Sequence, residues 1–156
     1  MMIEAIKEEE TTDSQRLNDV LLHFWNAARA DADIPYEKHI DIRVLEPIWD
    51  SCFLVHHERH GDERIFSYLH LGKELVEAYG GGRQQRDAAS LIYPANISLE
   101  KEFRQVVRLK QMQQVANRLQ KKNGADILYR SIMLPLLDDN DHVAYILGGM
   151  RWKFSQ

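Results

Sequence analysis

The chain holds 156 residues, 44% apolar and 28% charged, with a net charge of −4. That is enough for one domain with its own core, and it excludes a polycation built to coat nucleic acid. The single cysteine, Cys52, excludes an intramolecular disulfide and fits a reducing compartment.

No apolar run approaches the roughly 20 residues that span a bilayer. The acidic start Met1–Glu10 lacks the apolar core of a signal peptide. A soluble, cytoplasmic protein without membrane contact is therefore expected. Residues 1–11 read as a flexible acidic tail, and a single domain is expected over 12–154. Thr12 and Gln15 have capping-box spacing, so the first helix is predicted to start there. Leu17, Leu21, Phe24 and Ala28 recur at helical spacing, flanked by Val20 and Trp25. The helix is predicted to fade near Asp31–Asp33, ahead of Pro35. A short helical turn is expected around Arg43–Ile48, kept short by Pro47.

Ser51–His57 is an apolar run fit for a buried strand. His60-Gly61-Asp62-Glu63 is a turn signal, and Arg64–Leu71 reads as the second strand of a hairpin. Gly72 ends that strand, Lys73–Ala78 forms a short helix, and Gly80-Gly81-Gly82 stops it. After a mixed loop over 83–97, Ser98 is a good N-cap for a helix whose apolar face is Leu99, Phe103, Val106 and Val107.

The stretch 110–122 supports two readings. Its Gln, Met and Lys content continues a helix, whereas Val115, Asn117, Leu119 and Lys121 line one side of a strand. Asn123-Gly124 is the strongest short hairpin signal in the chain and favours a strand at about 114–121. Two long strands follow, 125–137 and 142–152, joined by the turn Asp138-Asp139-Asn140-Asp141. An antiparallel sheet with segregated helices is an α+β arrangement.

Several segments are also familiar in kind. Phe24-Trp25 and Arg29 lie in the first helix, Pro35 precedes Asp41, and Ile65–Gly72 is a strand running into glycine. Leu75–Gly80 ("LVEAYG"), Leu134–Asp139 ("LPLLDD") and Val143–Gly148 ("VAYILG") complete the set, which spans roughly 20–150. In order and spacing the chain resembles the single-domain PAS-like family common in alphaproteobacteria. It departs from that family at Ile42, where proline often follows the aspartate, and at Gly80-Gly81-Gly82-Arg83, where "G-x-D-L-T-G-R" is frequent. The resemblance implies a PAS-like five-stranded antiparallel sheet with helices on one face and an N-terminal amphipathic helix. It also implies signalling through a small molecule or a protein partner, and it names no ligand.

No catalytic or cofactor-binding residue is assigned, and no enzyme is expected. There is no G-x-S-x-G elbow, and no serine sits beside a His/Asp pair. His56-His57-Glu58-Arg59-His60 lacks the H-E-x-x-H spacing of a zinc site and reads as an exposed strand end. Gly80-Gly81-Gly82-Arg83 lacks the Lys-Ser or Lys-Thr of a phosphate loop. Among PAS sensors, flavin photochemistry needs a cysteine in a short helix before the long one, and Cys52 lies in the first strand. Haem sensors use a histidine on the long helix, and 98–110 contains none.

The basic segment 101–122, with Lys101, Arg104, Arg108, Lys110, Arg118, Lys121 and Lys122, gives an alternative reading as a nucleic-acid face. A solvated surface explains it more simply. Strand alternation groups Phe66, Tyr68 and His70; Tyr129, Ser131 and Met133; and Ala144, Ile146 and Gly148. With Phe103 and Val107 they form either plain core or a ligand pocket, because buried polar groups need partners. Leu17, Leu21, Phe24 and Trp25 are the expected partner or dimer surface. The expected function is a regulatory PAS module working through a signalling protein or a second copy of itself, with a small-molecule sensor or carrier as the other reading.

Overall fold

A computed structural model describes the backbone of residues 2–79, 96–120 and 126–155, with side chains over 16–76, 100–118 and 126–155. The glycines at 80–82, the Asn123-Gly124 turn and Lys121-Lys122 lie outside the described residues.

Helix α1 spans Met2–Arg29. It begins well ahead of Thr12, so most of the segment expected as a flexible tail is helical. The physical reason is local: residues 2–29 contain no glycine or proline and are rich in Glu, Ala and Leu, all strong helix formers. Two 3₁₀ segments follow, Glu37–His39 and Ile42–Ser51, the second capped by the Asp41 carboxylate accepting from the Arg43 amide. Strands β1 (Cys52–His60) and β2 (Glu63–Leu71) form the first hairpin. Gly61 takes φ +63° at its tip, a backbone region where a side chain is strained.

Helix α2 (Lys73–Tyr79) and helix α3 (Asn96–Leu109) come next. Lys110 stops α3 in the left-handed conformation, φ 53°, and strand β3 (Gln113–Gln120) follows. That resolves the ambiguous stretch in favour of a strand. Strands β4 (Asp126–Leu137) and β5 (Val143–Phe154) finish the fold. All five strands are antiparallel, in the order β2-β1-β5-β4-β3.

Two consecutive glycines in β5 show how the layers stack, because neighbouring strand residues face opposite sides. A Cβ on Gly148 would run into the Phe53 ring, which meets Phe103 of α3. A Cβ on Gly149 would lie 2.5 Å from a Leu21 methyl and 3.2 Å from one of Leu17, both on α1. Helix α3 therefore covers an inner face and α1 an outer face of the same sheet.

The end of α1 is fastened to the sheet. The Trp25 indole N–H donates to the Pro135 carbonyl at 2.9 Å. The Leu137 amide donates to Pro35 at 2.9 Å, and the Tyr36 hydroxyl donates to Asp141 in the β4–β5 turn. The Lys38–Asp139 ion pair at 3.1 Å joins the same two segments in solvent.

Candidate functional site

The inner face is aromatic at its centre. Phe103 of α3 is fully buried and meets Phe66 at 5.7 Å, Phe53 at 5.9 Å and Tyr68 at 6.3 Å between ring centroids. Tilted and edge-on pairs of this kind add about 0.5–1.5 kcal/mol each beyond the area they bury. Strand pairing brings the other expected residues to the same side. Val55 stands opposite both Tyr68 and Ile146, Phe53 opposite Gly148, and Met133 opposite Gly148. Ser131 pairs with Met150, and Tyr129 with Trp152. Phe66, Tyr68, Phe103, Val107, Tyr129, Ser131, Met133 and Ile146 are all buried.

His70 departs from this group. The β1–β2 register slips between Leu54 and Val55, so His70 pairs with Leu54 while Tyr68 pairs with Val55. The irregularity breaks the alternation that would have placed His70 beside Tyr68. Its ring instead stacks on Trp49 at 4.0 Å, and its Nε2 meets the Trp49 carbonyl at 2.9 Å. Burial pushes the His70 imidazole below its ordinary pKa, partly offset by that carbonyl.

The polar groups of the inner face differ in how they are satisfied. Ser131 donates to the Gly149 carbonyl at 2.8 Å. His57 stacks on Phe66 at 5.0 Å, with Nδ1 3.2 Å from the Val143 carbonyl and Nε2 3.4 Å from the Arg64 guanidinium. Nδ1 therefore donates and Nε2 accepts, a neutral imidazole, and burial lowers its pKa. The Tyr129 hydroxyl is buried and has no hydrogen-bond partner among the described residues. Burial, with the Glu102 carboxylate nearby, pushes its pKa up to about 12.

The sequence matches the family model described as a PAS domain over residues 14–151. The chain belongs to the PAS domain family. No curated protein matches it. Among solved structures it is similar to the PAS domain of a Colwellia psychrerythraea protein, with 17% identity, 70% of this chain and 94% of that chain covered, and a TM-score of 0.50. It is similar to a light-oxygen-voltage domain studied with a flavin analogue, with 11% identity, 72% and 83% covered, and a TM-score of 0.54. The dark structure of the Aureochrome1 light-oxygen-voltage domain, a blue-light photoreceptor, matches with 12% identity, 79% and 87% covered, and a TM-score of 0.52. At these identities the likeness is one of fold. Membership of the PAS family places the chain among sensory and regulatory modules.

In this PAS domain the α1 stripe lies within the chain's own fold. Leu17, Leu21 and Trp25 are buried on the outer face, and Phe24 is half-buried against the core. The expected partner surface is thus largely a core surface, because β5 leaves a slot at Gly149 that the leucines fill. Amphipathicity shows that a helix has a covered side without saying what covers it. Val20, on the same helix, is 44% exposed.

Other side chains took their places without a local signal. Ser51, Glu74 and Arg151 form a clasp: the Ser51 hydroxyl donates to Glu74 at 2.6 Å, and Arg151 reaches both. The Trp152 indole donates to the Glu74 carbonyl at 3.0 Å, so α2 is held against β5 from two sides. Phe53 is central to the aromatic cluster but was absent from the expected pocket, although alternation in Ser51–His57 places it with Val55.

Among the described residues no group of three His, Cys, Asp or Glu side chains is placed to hold a metal ion. Glu58 meets His60 at 2.9 Å and His56 at 3.5 Å on the exposed end of β1. Cys52 is buried, its thiol pushed up to about 12, so it is not a thiolate near neutral pH. The cations of 101–118 divide between α3, the turn at Lys110 and β3, and Arg104 pairs with Glu100 at 3.6 Å and Arg118 with Asp126 at 3.7 Å. No described helix is long and apolar enough to cross a membrane.

Proposed function

We propose that this PAS domain is a regulatory module that senses a change at its inner face and passes it, through β5 and α1, to a signalling protein or a second copy of the chain. A small molecule between α3 and the sheet is the proposed stimulus. One observation carries the reading. Gly148 and Gly149 put the Phe53 ring against one side of β5 and Leu21 against the other, one residue apart. A strand segment pressed from both sides has no slack, because protein interiors are close-packed. Anything that moves Phe53 therefore moves the seat of α1.

The test is hydrogen exchange on Gly148→Ala, whose new methyl displaces the Phe53 ring and also meets the Ile132 carbonyl of β4. Amides of residues 17–29 are expected to exchange about tenfold faster, while the β3–β4 pairs remote from Ile132, such as Asn117–Tyr129, keep their protection. Unchanged exchange in α1, with the Phe53 environment visibly altered by NMR, would remove the coupling on which the proposal rests.

A further inference from the structure

Among the described residues the inner face has one polar group left over. Tyr129 is 3% exposed, and its hydroxyl has no partner among the described residues. Buried hydroxyls are nearly always hydrogen-bonded, and an exception calls for an explanation. The neighbours do not supply one. Ser131, two residues on, is committed to the Gly149 carbonyl, and the indole N–H of Trp152, directly opposite, is committed to Glu74. On the β3 side Tyr129 pairs with Asn117, which is exposed. Met133 and Met150 share this face of the sheet and are buried, as are Phe103 and Val106 on α3, the helix whose Glu102 lies near Tyr129.

We infer that Tyr129 anchors a ligand that is uncharged, largely apolar, and carries one hydrogen-bond acceptor such as a carbonyl or ether oxygen. The inference rests on the sensory reading above and gives its stimulus a chemical class. Three features select that class. A hydroxyl pushed up to about 12 stays protonated at neutral pH and donates. The Glu102 carboxylate lies near enough to raise it further, and the same charge disfavours an anion. The apolar surroundings disfavour any second charge or unpaired polar group on the ligand.

The test uses the full chain labelled with ¹⁵N and three probes of nearly equal size: acetophenone, cumene, which lacks the oxygen, and benzoate, which is charged. Acetophenone is expected to shift the Trp152 indole signal, and Tyr129→Phe is expected to weaken its binding about tenfold, the loss of one hydrogen bond in a dry site. Cumene is expected to bind both forms equally, and benzoate neither. The inference fails if acetophenone binds Tyr129→Phe as well as it binds the native chain, if benzoate competes with it, or if no probe binds. Melting of the free protein gives an independent check. Tyr129→Phe is expected to melt no lower than the native chain, and a lower melting temperature would mean that the hydroxyl already has a partner. These results are separable from the coupling of β5 to α1. Ligand binding without faster α1 exchange in Gly148→Ala would leave Tyr129 as an anchor and remove only the transmission.

Discussion

The docking of α1 can be measured as a coupling energy between Leu21 and Gly149. Leu21 is fully buried, and Leu21→Ala removes most of an apolar side chain and leaves a cavity. Substitutions of this type cost about 2–5 kcal/mol, and about 3 kcal/mol is expected here. Gly149→Ala acts in the opposite sense. Its new Cβ would stand 2.5 Å from a Leu21 methyl and 3.2 Å from one of Leu17, so α1 must lift or the leucines must leave their rotamers. Overpacking of this kind costs about 1–3 kcal/mol. In the double variant the alanine methyl enters space that the shortened Leu21 has vacated. The combined loss should fall below the sum of the single losses by about 1–2 kcal/mol, a coupling typical of side chains in contact. Urea melts of the four proteins provide the numbers, with unchanged m-values as the sign that the unfolding transition itself is unaltered. Val20→Ala, on the exposed side of the same helix, serves as control and should change stability by under about 0.5 kcal/mol. Additivity of Leu21→Ala and Gly149→Ala to within about 0.5 kcal/mol would refute the packing of α1 on β5.

Two further outcomes follow from the polar groups. His57 and His70 both have pKa values lowered by burial, so the unfolded chain binds more protons than the folded one below the ordinary histidine value. Stability should be fully present above about pH 6.5 and decline as pH falls from there through the depressed folded values. Replacing both histidines by phenylalanine should flatten that part of the profile in urea melts, and an unchanged slope would place the acid sensitivity elsewhere. Glu74→Ala removes the acceptor of Ser51 and the anion beside Arg151. Because the carboxylate is half exposed, a loss of about 1 kcal/mol is expected. Ser51→Ala in the same background should add little to the drop in melting temperature, and a full second drop would mean that the three groups do not act as one clasp.

The strands were legible in the sequence because their signals are local. Apolar runs, alternation and turn residues marked β1, β2, β4 and β5 close to their observed limits. The inner-face residues Tyr129, Ser131 and Met133 followed from alternation within one uninterrupted strand. His70 was misplaced because the slip beside Leu54 is a property of the β1–β2 pairing, which neither strand shows alone. The Ser51–Glu74–Arg151 clasp was invisible for a similar reason, since its members meet only after β5 lies beside the start of β1. The early start of α1 is a different case. A capping-box pattern at Thr12 outweighed the unbroken run of helix formers before it, although Thr and Gln also occur within helices.

The apolar stripe of α1 also shows which feature of the sequence separates a core surface from a partner surface. Leu17, Leu21 and Trp25 would look the same on a helix waiting for another protein. The deciding signal lies far along the chain, in Gly148-Gly149. Glycine weakens a strand interior, so two together in β5 call for close approach by something on each face. Phe53 and Leu21 are those two groups. The exposed acidic turn Asp138–Asp141 is the weaker place to look for transmission between layers, because its Lys38–Asp139 pair stands in solvent and is worth little. At β5 the contacts are buried, adjacent and on opposite faces. On the proposed reading a change registered by Phe53 would reach α1 there without crossing water, and the two glycines can be altered one at a time to test that coupling.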